Sequence, residues 1–289
     1  MRFFKMIEPV LHLYDIGEAL GLKTTEGFAK FDNGAVVAFS TTRHGGASQG
    51  RYGELNINPY CGDDSAAISY NRAALCAKLG IDDVHLVLPH QVHGTKCLNV
   101  DAALLCSTPS RRQQRLEGYD ALMTNLKGVC IGVSTADCIP VLIHDPQRHA
   151  VAAIHAGWRG TVARIVEKTL RAMKANYGTE ASEAVAIIGP GISLRNFEVG
   201  QEVYDAFAAA GFEMQDIAQR FPCKADPGKE KWHIDLPLCN KLQLTRSGVR
   251  EQNIVCSGIC TYDNADDFFS ARRLGIDSGR IYTGIMIKH

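Results

Sequence analysis

Three residues in this chain carry side chains suited to chemistry at a spacing that can bring them together: His93, Cys138 and His155. Cys138 precedes an apolar run, Ile139–Ile143, and His155 follows another, Ala150–Ile154. Between them lies Asp145-Pro-Gln-Arg148, a turn signal with Asp favourable at the first position and Pro at the second. Short apolar runs bounded by such a turn predict two buried strands in a hairpin. If His144 faces His149 across the turn, the same register puts Cys138 directly opposite His155. Opposed residues have β-carbons roughly 5 Å apart on one face of the sheet. A soft sulfur and an imidazole would then meet at the rim of the sheet.

A metal needs at least a third ligand, and His93 in Gln91-Val-His-Gly94 is the best placed, at the end of a short apolar strand before a glycine. His90, His44 and His233 are rivals for that position. Two histidines, one thiolate and an open position for water match a catalytic zinc site. Zinc there would lower the pKa of its water to ~7 and supply hydroxide at neutral pH. The plain alternative is a buried free cysteine beside a hydrogen-bonded core histidine, and the residues alone leave both open. Asp137 reads either as a proton carrier or orienter of a ligand histidine, or as a turn residue bonding nearby amides. Ala156-Gly-Trp-Arg-Gly-Thr161 enters a helix, so free amides and Arg159 could hold phosphate or carboxylate. It could equally be a simple strand-to-helix turn. Arg43, in the loop Thr41-Thr-Arg-His-Gly-Gly-Ala-Ser-Gln-Gly50, is a second anion candidate, and Arg272 and Arg273 are weaker ones. His144 and His149, flanking the turn, are expected to be exposed.

The elements that must position these residues are interleaved along the chain. Strands are expected at 34–40, 84–88, 95–100, 119–124, 129–133, 184–189, 253–257 and 280–287, with 95–100 pairing with 84–88. Helices are expected from about 64 to 79, capped by Asp63 or Asp64 and stopped by Gly80, and at 161–177, 198–210 and 235–245. The polar stretch 101–118 reads as an irregular surface loop, with Arg111-Arg-Gln-Gln-Arg115 on its solvated side. Strands joined both by helices and by hairpins predict an α/β fold, a sandwich with a mixed sheet and helices on both faces.

The bulk properties narrow the function classes. A chain of 289 residues without repeats or long linkers reads as one domain, 1–289. Net charge is zero, which gives no electrostatic case for nucleic acid or an acidic membrane as partner. The start is interrupted by charge too early for a secretory signal, and no apolar run approaches the ~20 residues of a membrane helix. Ten cysteines, unevenly spaced and mostly in apolar segments (Cys76, Cys97, Cys130, Cys256), suggest reduced thiols and a cytoplasmic protein. Walker A, the full dinucleotide fingerprint, the Gly-x-Ser-x-Gly elbow and the cytidine-type zinc deaminase pattern are all absent from the sequence.

Taken together, Thr42-Arg-His-Gly-Gly46, Leu55-Asn-Ile-Asn58, Gly62-Asp-Asp64, Asn71-Arg72, Gln91-Val-His-Gly94, Thr135-Ala-Asp-Cys138, His155-Ala-Gly-Trp-Arg-Gly160, Gly189-Pro-Gly-Ile192, Phe197-Glu-Val-Gly200 and Phe268-Phe-Ser-Ala-Arg-Arg273 resemble the YfiH-like family, labelled multicopper polyphenol oxidoreductase or laccase domain. The resemblance implies a single-domain α/β/α fold and a zinc site on His93, Cys138 and His155, with copper as another metal that fits. It also implies purine nucleoside chemistry: phosphorolysis of adenosine, inosine and methylthioadenosine, with adenosine deamination. Nucleoside and phosphate would then be the partners, with Arg43 and Arg159 holding phosphate and Asn56 and Asp137 contacting substrate or relaying protons. A monomer or small homo-oligomer is expected. Some relatives resemble peptidoglycan editing factors, which keeps a cysteine- or metal-dependent amidohydrolase acting on cell-wall precursors as an alternative. A non-catalytic metal- or ligand-binding regulator is another. Laccase chemistry fits poorly as a main function. A blue-copper centre plus a trinuclear cluster rests largely on His-x-His pairs, and the ten histidines here include none.

Overall fold

The computed structural model describes residues 13–15, 35–223, 226 and 228–289. The start of the chain, read above as lacking a secretory signal, lies outside the described residues, as does Gly34. In chain order the strands are β1 (Leu13–Asp15), β2 (Val36–Thr41), β3 (Leu86–Val87), β4 (Cys97–Asn99), β5 (Ala121–Thr124), β6 (Cys130–Thr135), β7 (Ile139–Asp145), β8 (Ala150–Ala156), β9 (Val185–Ile188), β10 (Glu198–Val199), β11 (Ala218–Pro222), β12 (Glu230–Ile234), β13 (Ile254–Cys256) and β14 (Ile281–Ile287). The helices are α1 (Ser65–Leu79), α2 (Ala102–Leu105), α3 (Pro109–Arg115), α4 (Trp158–Val162), α5 (Ile165–Tyr177), α6 (Gln201–Ala209), α7 (Met214–Ile217), α8 (Leu236–Arg246) and α9 (Ala271–Leu274).

The mixed α/β class holds, with the strands divided over several sheets. One sheet runs β1-β2-β14-β6-β3, a second β13-β9-β7-β8-β5-β4, and a small third β10-β12-β11. Val87, Ile131, Val133 and Ile285 of the first sheet pack against Leu122, Leu142, Val151 and Ile187 of the second, so these two sheets share an apolar layer. Helix α1 covers the outer face of the first through Leu75 and Cys76. Helices α5, α6 and α8 cover the outer face of the second through Val166, Phe207 and Leu244. Covered on both sides, β7 and β8 are buried at every position, which is why their sequences are nearly continuous apolar runs. Among the described residues no helix is long and apolar enough to cross a membrane.

The hairpin forms, but its register differs from the expected one by two residues. Pro140 faces His155 and Asp145 faces Ala150, so Cys138 lies diagonally from His155, just before the strand begins. The cause is at the turn. Asp145 Oδ1 accepts from the amides of Gln147 and Arg148, and His149 takes a left-handed conformation, φ 49°. That closes a four-residue loop and leaves His149 outside the ladder. A slip of two residues preserves the face, whereas a slip of one would have reversed it. His155 therefore still shares the inter-sheet side with Val151 and Ala153. His144 is buried rather than exposed, while His149 is exposed as expected.

Other elements depart from the sequence reading for local reasons. The strand at 97–99 does not pair with β3. It pairs with β5 in the second sheet, while β3 pairs with β6 in the first. The loop between them therefore crosses from sheet to sheet and carries His93 over the rim. The stretch 101–118 holds two short helices, capped by the side chains of Asp101 and Thr108 with Pro109 in the first turn. The expected helix 161–177 is broken at Arg164, φ 63°, whose guanidinium donates to the Ala210 carbonyl and stacks on Phe212 at 3.8 Å. Glu198 and Val199 form a strand with β12 before α6 begins. Helices α1 and α8 start as expected, capped by Asp64 and Asp235. All ten cysteines are free thiols, with Cys76 and Cys130 buried and Cys256 exposed.

Candidate functional site

His93, Cys138 and His155 converge where the loop after β3, the start of β7 and the end of β8 meet. One ligand atom of each lies within 4.8 Å of the others. Cys138 Sγ is 4.0 Å from His93 Nε2, and the two imidazoles meet edge to face with centroids 4.8 Å apart. His93 is exposed, Cys138 half-buried and His155 buried, so the cluster has a protein side and an open side. Gly157 forms part of its wall. A β-carbon there would sit 3.0 Å from both Cys138 Sγ and His93 Cδ2, so a side chain would enter the space the three residues surround.

The rivals for the third position are engaged elsewhere. His90 bonds Glu117 and stacks on Tyr60, His44 bonds Asp267, and His233 bonds the Leu194 carbonyl. The donor set suits a soft to borderline divalent ion such as zinc: two imidazole nitrogens and a thiolate with one side open. Burial alone would raise the Cys138 thiol, but the charge and hydrogen bond of His155, and then His93, bring it down to about 6. Burial likewise works against a charged His155, and Cys138 and Asp120 outweigh it, raising the ring to about 9. Both shifts favour a thiolate beside an imidazolium, and the thiolate is the form that binds metal.

Sequence reasoning missed Asp120. It is fully buried just before β5. Its carboxylate accepts from the amides of Val92, His93 and Gly94 at 3.3, 2.9 and 2.6 Å and from His155 Nδ1 at 2.8 Å. Those amides explain how His93 tolerates φ 60°, since three successive N–H groups turn inward around one anion. The signal was a lone acid opening an otherwise apolar strand, Asp120-Ala-Leu-Met-Thr124, a position where burial demands partners.

Asp137, at φ 93°, turns its carboxylate to Thr261 Oγ1 at 2.8 Å and the Arg272 amide at 2.7 Å, and its carbonyl accepts from Ile192 N. Its polar atoms therefore tie the loop before Cys138 to three others. Asn56 is not brought to the cluster. It has no exposed surface and bonds Cys61, Asp63, Asn58 and the Arg280 amide. Arg43 bonds the carbonyls of Gly53 and Ala265 and lines a separate cleft of about 490 Å³ beside Glu54 and Asp266. Arg159 is exposed two residues beyond Gly157, with its guanidinium 4.3 Å over the Trp158 ring.

Residues 37–288 match the family described as "Multi-copper polyphenol oxidoreductase laccase". The chain is 46% identical over 262 residues to a protein of Bacteroides thetaiotaomicron named "Purine nucleoside phosphorylase", a match covering 91% of this chain and 94% of the relative. It is 42% identical to "Adenosine deaminase RL5" from an unknown prokaryotic organism, over 90% of this chain and 97% of that one. Among solved structures, YlmD from Geobacillus stearothermophilus superposes with a TM-score of 0.79 at 28% identity, covering 92% of this chain and 94% of the other. The Bacillus licheniformis hypothetical protein YfiH gives the same TM-score at 26% identity, over 88% and 93%. A family match through nearly all the described residues, relatives of similar length and a shared fold agree: the chain belongs to the YfiH-like, multi-copper polyphenol oxidoreductase laccase family.

Proposed function

We propose that this single-domain chain is a purine nucleoside enzyme that cleaves adenosine, inosine and methylthioadenosine with phosphate and deaminates adenosine, at a zinc centre on His93, Cys138 and His155. The observation that carries the reading is the convergence of those three side chains, open on one side, in a chain 46% identical to a protein named for purine nucleoside phosphorolysis. When bound, zinc supplies a Lewis acid and lowers the pKa of water. The chain's own residues supply the remainder. Cys138 is held as a thiolate by His155, and His155 is held by Asp120. Arg159, exposed two residues beyond Gly157 and outside the ligand set, is the guanidinium assigned to phosphate. The same donors accept copper, which gives incidental oxidase chemistry a route without a multicopper cluster.

Incubation with adenosine, with and without phosphate, tests the reading when adenine, hypoxanthine and inosine are resolved by chromatography. Phosphate-dependent adenine supports phosphorolysis, and phosphate-independent inosine supports deamination. Absence of all three from zinc-replete protein sinks the proposal.

One observation favours a second reading. The lowered Cys138 thiol beside His155 is also the arrangement of a nucleophile with its base, as in a metal-free amidohydrolase acting on cell-wall precursors. Alkylation at Cys138 that zinc does not block, with turnover that persists in chelator, would decide for it.

A further inference from the structure

We infer that Asp120 is the positioning residue of this centre, one carboxylate that fixes the His93 turn and selects the tautomer of His155. The inference rests on the zinc reading of the site and concerns how the ligands are presented. Asp120 is fully buried, and the partners of its carboxylate are N–H donors on two segments far apart in sequence. Oδ1 is shared: it accepts from His93 N at 2.9 Å and from His155 Nδ1 at 2.8 Å. Oδ2 accepts from Gly94 N at 2.6 Å and Val92 N at 3.3 Å. Gly94 also makes room, since a β-carbon there would lie 3.3 Å from Oδ2. The main chain joins the same pieces, with His155 N donating to the Asp120 carbonyl at 2.7 Å and Asp120 N to the Lys96 carbonyl at 3.1 Å.

An ionised carboxylate can only accept. The proton of the Asp120–His155 bond therefore sits on Nδ1, and Nε2 is the nitrogen with a lone pair to offer beside Cys138. The same oxygen holds the backbone of His93, so an error in one ligand's placement is transmitted to the other. Zinc-binding histidines commonly depend on such a partner for ring orientation and tautomer. Here the partner also shapes the loop that carries a second ligand.

An amide at this position cannot do both jobs. Asp120→Asn has one acceptor and one donor where two acceptors are needed. In one orientation its NH2 faces the amides of Val92 and Gly94. In the other it faces His93 N and His155 Nδ1, which drives the ring proton to Nε2 and blocks that lone pair.

Two measurements test this. Zinc affinity by chelator competition should fall about 10- to 100-fold in D120N. In zinc-loaded wild-type protein, long-range proton–nitrogen correlation spectra should show His155 protonated at Nδ1 with no proton on Nε2. D120N that binds zinc as tightly as wild type overturns the inference, as does a proton found on Nε2 of the ring in zinc-loaded wild type. If D120N fails to fold, the wild-type Nδ1 proton decides: bonded to the buried Asp120 carboxylate it should lie far downfield and exchange slowly, and an Nδ1 proton in fast exchange with water overturns the inference. Wild-type protein that binds no zinc overturns the metal reading itself, a result distinguishable from equal binding by wild type and D120N.

Discussion

The β7–β8 hairpin buries a histidine near each end, and the two behave in opposite ways. His155, at the open end, is raised to about 9 although burial works against its charge, because Cys138 and Asp120 outweigh that burial. His144, at the turn end, is lowered to about 4: burial dominates, the adjacent Asp145 acts in the other direction, and His149 adds to the lowering. Both are almost fully buried, at 3% and 2% exposure. Burial therefore does not distinguish a reactive histidine from a structural one. What distinguishes them is which effect wins: at His155 the charges of Cys138 and Asp120 outweigh burial, and at His144 burial outweighs Asp145.

Removing His155 is the harshest way to test that contrast. His155→Ala deletes a proposed zinc ligand and leaves the Asp120 carboxylate buried without its imidazole. We expect stoichiometric zinc and turnover to be lost together and unfolding stability to fall by about 3–5 kcal/mol. Denaturant unfolding and metal analysis on one preparation check both. A variant that keeps its stability would show that Asp120 does not depend on the ring.

At the other end the test is pH. The folded pKa of His144 lies below its unfolded value, so the unfolded chain binds the proton more readily. The contribution is fully present above about pH 6.5, is lost as pH falls, and is gone near 4, amounting to about 3 kcal/mol. Urea unfolding at pH 7 and pH 4.5, comparing wild type with His144→Leu, cancels the carboxylates common to both. Wild type should lose more stability than the variant across that interval. Parallel losses would mean that His144 is not held neutral by burial.

Gly157→Ala sharpens the description of the open end without touching a ligand. Its methyl would lie 3.0 Å from Cys138 Sγ and His93 Cδ2, so the cluster must open or the chain must shift. Overpacking of this kind costs about 1–3 kcal/mol, and zinc affinity should fall with it. Unchanged affinity would place the usable space elsewhere.

How much of this was legible in the sequence follows the range of the forces involved. The apolar runs and the caps at Asp64 and Asp235 are local signals, and the corresponding strands and helices form where expected, while the turn sits one residue later. The same-face relation of Cys138 and His155 survived a wrong register because a two-residue slip preserves parity. Pairing beyond the hairpin was not legible. Nothing local says that β4 joins β5 rather than β3, and the pairing of β11 with β12 carried no strong alternation. Asp120 escaped because its role exists only once residues 92–94, 120 and 155 are brought together. Asn56 shows the converse, a motif residue that ties loops together and has no exposed surface to offer a substrate.

The smallest effect tests whether the two ends are independent. His149 sits at φ 49°, a region where asparagine is favoured over most other residues. His149→Asn should therefore stabilise the turn by well under about 1 kcal/mol, since the fold already accommodates the conformation. The strands are seven residues long, so the turn lies roughly 20 Å from the cluster at about 3.3 Å per residue. Zinc affinity and turnover should not move. The register itself depends on Asp145, whose carboxylate holds Gln147 N and Arg148 N at 2.9 and 3.1 Å. If Asn at 149 changed zinc binding, the turn would be transmitting strain along both strands, and the contrast between a reactive end and a structural end would fail. If only the melting temperature changes, the hairpin acts as a rigid spacer, and the chemistry belongs to the end where Asp120 and Cys138 meet His155.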